Sequence, residues 1–284
     1  MNEKLKGTLL VLAAAVIFSF AGLFVKLITW DNMAIVAGRS FATGAAALLC
    51  MKIRGRKPVL NKPVIFCGFS LSALSISFVM ATKLTSAANA IVLQYTQPVF
   101  IILALWLLFG QKPKKEEITV IIVAFAGILC FFMDRLTPGG FAGNVIAVFS
   151  GLLFALVFLA KKMDGADYES SIFVSAVINL CAGFWQIPSQ SDFRPVVLLM
   201  LVLYGTLPCA VGYMFLSAGL DRVSLVTGAV ICMLEPILNP IWVALFYGET
   251  IGRMAFFGTV ILLCTATAYS IMQIKQNDEA VKER

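Results

Sequence analysis

The 284-residue chain contains no histidine. Its absence removes the commonest metal ligand, the near-neutral proton shuttle and the usual base of a serine or cysteine nucleophile. It also excludes an HExxH metal site. Charge is scarce too, at 13 % of residues, where soluble domains carry about 25 %. There is no Walker-type glycine-rich loop, so the chain alone is not expected to be driven by ATP. The nearest approach to a nucleophile elbow, Gly68-Phe69-Ser70-Leu71-Ser72, lacks its final glycine. No pair of aspartates lies mid-run to serve an intramembrane aspartyl protease. An enzyme is therefore not expected, and neither a metal nor a cofactor. The seven cysteines are an odd number lying in or at the ends of apolar runs, which fits small packing residues and not a disulfide frame.

What is abundant is apolar sequence: 60 % of residues, with a mean hydropathy of +0.94. A hydrocarbon core of about 30 Å takes about 20 helical residues to cross. The expected fold is an all-α integral membrane protein with ten transmembrane helices. The spans run roughly Gly7 to Ile28, Met33 to Met51, Pro63 to Ala81, Ala87 to Phe109, Glu117 to Met133, Phe141 to Ala160, Ser171 to Ile187, Val196 to Ser217, Ser224 to Tyr247 and Arg253 to Met272. Lys4 and Lys6 precede the first span as in a signal peptide, but its apolar run is too long for one, so it is expected to be retained as a helix.

The chain repeats itself. A shift of 138 residues lays Ser86 on Ser224, Pro98 on Pro236 and Gly110 on Gly248, and a shift of 136 lays Gly7 on Gly143, Phe18 on Phe154 and Lys26 on Lys162. The polar segment Asp134 to Gly140 joins the two copies. Residues 1–138 and 139–284 thus read as two five-helix repeats, inverted relative to one another because five is odd. That architecture belongs to alternating-access carriers. With the N-terminus inside, 16 basic residues fall on the cytoplasmic face and four (Lys83, Arg135, Arg194, Arg253) outside. Both termini are therefore expected in the cytoplasm, in the plasma (inner) membrane. The net charge of +7 is a topology signal and not a sign of nucleic-acid binding.

SAANAIVLQYTQPVFIILALWLLFGQ (Ser86 to Gln111) and its partner SLVTGAVICMLEPILNPIWVALFYGE (Ser224 to Glu249) resemble the paired signature of the drug/metabolite transporter superfamily, in its EamA-like ten-span branch. FAGLFVK (Phe20 to Lys26), the Gly38-Arg39 pair and YGTLPCAVGYMFLSAGL (Tyr204 to Leu220) extend the likeness over essentially the whole chain. The chain departs from the pattern at Phe20, where Trp is common, and at Gln111, where the first repeat often ends in Gly-Glu. The resemblance implies exporters or exchangers of small polar or amphipathic metabolites, often amino-acid-like, with a central cavity between the halves.

Within the spans, Arg39 sits where a charge costs at least about 2.5–3.5 kcal/mol unless paired or wet. It either holds a substrate carboxylate or phosphate with its planar fork, or pairs structurally with a helix C-terminus or Asp31. Lys26, nearer its helix end, is a second candidate and snorkels more easily. Glu235 is the acidic residue nearest the middle of any span, a candidate for proton coupling because desolvation disfavours its charged form. Helical spacing groups Gly228, Cys232, Glu235, Asn239 and Trp242 on one face; the counterparts are Ala90, Gln94, Gln97, Ile101 and Ala104. Such a stripe meets protein or water, either as substrate-binding groups or as buried polar glue. Pro98, Pro236 and Pro240 free the carbonyls of Gln94, Cys232 and Pro236. Gly205, Gly212 and Gly219 make a packing stripe. Tyr213, with Thr206, Cys209 and Ser217, and Ser72, Ser75 and Thr82 on the third span either line a cavity or satisfy backbone carbonyls. Tyr95 and Trp185 are aromatic candidates for its walls or for interface anchors.

The expected function is a secondary transporter, an exporter or exchanger of small carboxylate- or phosphate-bearing metabolites, as monomer or homodimer, with the proton as a candidate coupling ion. A channel or a lipid-handling scaffold is the alternative; a channel is expected to show rings of like polar residues and no inverted pairing.

Overall fold

A computed structural model describes residues 3–112, 115–133 and 140–248, with parts of 253–268. The connector at 134–139, both termini and parts of the last expected span lie outside the described residues. The described chain is helical throughout. Its elements are α1 (Glu3–Phe18), α2 (Ala21–Leu27), α3 (Asn32–Ile53), α4 (Lys62–Leu84), α5 (Ala87–Gln94), α6 (Gln97–Phe109), α7 (Lys115–Met133), α8 (Gly140–Ala160), α9 (Tyr168–Gly183), α10 (Pro195–Thr206), α11 (Tyr213–Leu220), α12 (Leu225–Cys232) and α13 (Glu235–Tyr247). A 3₁₀ turn, Phe184–Gln186, follows α9, and a π-helical stretch, Leu207–Gly212, joins α10 to α11. Taking joined segments together, seven helical stretches among the described residues are long and apolar enough to cross a membrane. The chain is a multi-pass membrane protein.

Four of the expected spans are interrupted. The first breaks between α1 and α2, the fourth between α5 and α6, the ninth between α12 and α13, and the eighth carries the π stretch at Pro208. In the fourth and ninth, the proline two residues beyond the break lacks the N–H that would close the preceding turn.

The 138-residue shift holds at the level of local structure. Ser86 and Ser224 both cap their helices, each accepting from the backbone N–H three residues on, at Asn89 and Thr227. Gln94 and Cys232 both end a half-helix, and Gln97 and Glu235 both begin the next. Gly110 and Gly248 both terminate the second half-helix in the left-handed region, at φ +65° and +76°, the C-terminal role that glycine fills without a Cβ clash.

Packing between the halves repeats as well. A Cβ on Gly7 of α1 would lie 2.5 Å from Arg222 Cβ, and one on Gly143 of α8 would lie 3.0 Å from Leu84 Cβ and Thr85 Cβ. Shifting 84 by 138 gives 222, so the first helix of each half rests a glycine on the turn before the fourth span of the other. α3 and α9 pack closely and run in opposite directions. Gly183, ending α9, abuts Met33 O near the start of α3; Gly44 faces Ala176; and Arg54, just past α3, pairs with Glu169 at the start of α9. The stripe of Gly205, Gly212 and Gly219 packs against Arg39 O, the Phe18 ring and Val11.

Beyond the ends of α2 and α9, Thr29, Trp30 and Asp31 are tied to Asp192 and Gln190. The Arg194 side chain, followed by Thr29, holds the Asp192 carboxyl below the usual carboxylate range.

Candidate functional site

The glycine contacts of α3, α8 and the eighth span leave a cavity between the halves, lined from both. Arg39 and Thr43 come from α3, Ser75 and Phe78 from α4, Gln94 from α5, Phe154 from α8, Ser175 and Asn179 from α9, Tyr204, Cys209 and Tyr213 from the eighth span, and Glu235 from α13. The walls combine aromatic rings with single hydroxyls and amides, and one charged group of each sign.

Arg39 is 4 % exposed. Its Nη1 donates to Cys209 Sγ and its Nη2 to Ser75 Oγ, so one guanidinium reaches across from the first half to the second. Its Cζ lies 4.2 Å from the Tyr204 ring centroid, a cation–π contact worth about 2 kcal/mol when desolvated. Its Nε meets no partner among the described residues. A thiol, a hydroxyl and a ring face leave this buried cation with no carboxylate beside it among the described residues. The Ser75 hydroxyl is set in turn by Asn179 Nδ2 at 3.3 Å, and Ser72 Oγ donates to Asn179 Oδ1 at 2.6 Å.

Glu235, 3 % exposed, is the first residue of α13 and sits at the break in the ninth span. The Tyr95 hydroxyl donates to its Oε2 at 2.5 Å. Tyr95 is itself fully buried, and its ring packs edge-on against Phe154 with centroids 6.2 Å apart. Ser150 of α8 donates to Gln94 Oε1 at 3.2 Å. Gly151 beside it has no Cβ, and one would fall 2.6 Å from Gln94 O.

Of the residues singled out from sequence, Arg39, Ser75, Gln94, Cys209, Tyr213 and Glu235 line this cavity. Tyr95 stands behind Glu235 as its hydrogen-bond donor. Others lie off the cavity. Gln97 is fully buried, with neither side-chain polar atom bonded among the described residues. Asn239 donates to Ser19 O at 2.8 Å. Lys26 Nζ lies 3.4 Å from Thr85 O. The sequence stripe assumed unbroken helices; a break after Gln94 and after Cys232 resets the angular register, so members of one drawn face part company. Trp185 is 65 % exposed, outside the cavity walls. Sequence reasoning missed Asn179, Ser175 and Thr43. The four-residue spacing of Ser171, Ser175 and Asn179 in an apolar run was the available signal.

The sequence matches the EamA-like transporter family twice, over residues 5–133 and over 141–271. It is similar to an uncharacterized transporter of Clostridium kluyveri, 25 % identical and covering 96 % of each chain. A second uncharacterized transporter, of Archaeoglobus fulgidus, is 22 % identical and covers 90 % of this chain and 93 % of its own. A third, of Synechocystis sp., is 21 % identical over 92 % of each. A solved crystal structure superposes with a TM-score of 0.72 at 17 % identity, covering 94 % of this chain and 97 % of the other, a likeness of fold.

Proposed function

Given that the chain belongs to the EamA-like transporter family and is a membrane transporter, we propose that it is a secondary carrier of small metabolites bearing a carboxylate or phosphate, amino-acid-like compounds foremost, working by alternating access. In this reading ten spans form two inverted five-helix repeats, residues 1–138 and 139–284, with both termini in the cytoplasm. The antiparallel packing of α3 on α9, the residue-by-residue match of the fourth and ninth spans and the doubled family match support it. Such repeats place the substrate between them and rock around it.

The observation that carries the substrate class is Arg39, a buried cation on the cavity wall with no anionic partner among the described residues. Hydrogen bonds to a charged group are worth about 1.5–3 kcal/mol each, so the thiol and hydroxyl offset part of the burial cost and leave the charge itself uncompensated. A bidentate carboxylate or phosphate supplies both the missing charge and the planar match. Glu235 across the cavity is placed to receive a substrate ammonium or to exchange a proton with it, with Tyr95 fixing one of its oxygens.

A thermal-shift screen of the purified protein against amino acids, carboxylates, phosphates and cationic dyes tests this reading, since a ligand that binds the folded state raises Tm by mass action. Anionic and zwitterionic compounds are expected to give the shifts, and Arg39→Ala to abolish them in a protein that still purifies as a folded monomer or dimer. Shifts confined to cations, or unchanged in Arg39→Ala, would overturn the assignment.

A further inference from the structure

The first span is broken at Ser19 although no proline lies before Pro58. Its counterpart in the second half, α8, runs unbroken through residues 140–160. Ser19 Oγ turns back to Val16 O at 2.6 Å, and the further donors come from outside the span. Asn239 Nδ2 donates to Ser19 O at 2.8 Å, and Trp242 Nε1 donates to Ser19 Oγ at 2.9 Å. Phe20 stacks on Trp242 with ring centroids 5.0 Å apart and planes 12° from parallel. Gly22 admits the amide: a Cβ there would lie 2.5 Å from Asn239 Nδ2. The positions equivalent to Asn239 and Trp242 in the first half are Ile101 and Ala104, which carry no side-chain donor. The first span therefore breaks where α13 supplies the donors, and α8 stays whole where α6 supplies none.

We propose that Asn239 and Trp242 are positioning residues that latch the first span at its break by Ser19, holding α2 in place on the cavity wall and coupling it through α13 to Glu235. Phe18 and Ala21, on either side of the break, line the cavity, and so does Glu235, one turn before Asn239 on α13. Phe20, Leu23 and Leu27 join Ala87, Trp242 and Val243 in a small apolar cluster separate from the main core, so this face of α2 moves with α13. The opposite face of α2 packs in the main core through Ala21 and Val25, and Phe24 stacks on Tyr204 of the cavity wall with centroids 5.7 Å apart, so the latch sets how α2 seats against that wall. A change at Glu235, by substrate or proton, thus reaches the wall opposite through one turn of helix.

This inference rests on the carrier reading only for its purpose; its test needs no substrate. Cys209 lines the cavity and Cys67 is buried away from it. Purified protein in detergent is alkylated with a water-soluble maleimide, and modification is followed site by site from peptide masses. Asn239→Leu, Trp242→Phe, which keeps the ring stack but removes the donor, and Gly22→Ala, which displaces the amide from the other side, are each expected to speed Cys209 alkylation roughly fivefold, the scale of one lost buried hydrogen bond. Cys67 alkylation should not change. Unchanged Cys209 rates in Trp242→Phe and Gly22→Ala, or Cys67 rising with Cys209 as in general loosening, would overturn the latch. A wild-type protein with no carrier flux would overturn the transport reading while leaving these rates untouched.

Discussion

Two carboxyl groups, one in the cavity and one at the surface, make separable predictions. The Glu235 carboxyl stands at a helix break, with one oxygen held by Tyr95 and its face on the cavity. If it carries the coupling proton, Glu235→Gln abolishes pH-gradient-driven uptake into vesicles while exchange between labelled and unlabelled substrate survives. Tyr95→Phe keeps the drive but shifts the pH at which it is half-maximal, because the carboxylate loses its donor. Uptake that still follows the pH gradient in Glu235→Gln would remove the proton role. A second titrating group lies at the surface. The folded state favours ionised Asp192 through Arg194 and Thr29. A depressed folded value adds stability above the unfolded carboxylate pKa of about 3.9, and that stability is lost as pH falls below it. The Tm difference between wild type and Asp192→Asn should therefore be present at neutral pH and shrink in acid. A constant difference would show that the carboxylate charge contributes nothing.

Helices in this protein are fitted to one another through glycine. A Cβ on Gly205 would sit 2.2 Å from Arg39 O, a backbone atom that cannot swing aside. Gly205→Ala should therefore cost about 1–3 kcal/mol, the usual scale of overpacking, and should displace α3 together with its guanidinium, lowering both Tm and ligand affinity. Gly110→Ala, with open space around it, should lower Tm through its positive φ and spare affinity. Equal losses of affinity in both would separate Arg39 from the packing of the eighth span. Much at this scale was legible beforehand. The capping serines, Pro98 and Pro236, and the terminal glycines sit in the sequence at a fixed shift, and local chemistry alone dictates what they do. The break at Ser19 was not legible, because the Asn239 donor to Ser19 O lies 220 residues away. Nor was the placement of Gln97, which depends on how far each break rotates the following half-helix. The cavity was legible in its charged members, which stand out in apolar runs, but not in Phe78 or Phe154, which look like any other core ring.

For the molecule as a whole, the antiparallel contact of α3 with α9 is a direct handle on architecture. A Cβ at Gly44 would lie 3.4 Å from Ala176 Cβ, close to disulfide spacing. In a cysteine-depleted background, Gly44→Cys with Ala176→Cys should cross-link under mild oxidation, whereas Gly44→Cys with Gly183→Cys, about two helical turns out of register, should not. The reverse outcome would mean that the halves meet the other way round. The claim on which function depends is that two such halves close alternately around an anion held by Arg39. Counterflow tests it most directly. Vesicles carrying the purified protein are preloaded with an unlabelled ligand from the thermal-shift screen, and entry of the labelled form is timed. The account predicts saturable entry accelerated by substrate on the far side in wild type and lost in Arg39→Ala. Entry that rises linearly with concentration, is indifferent to preloading and is unchanged in Arg39→Ala would contradict it.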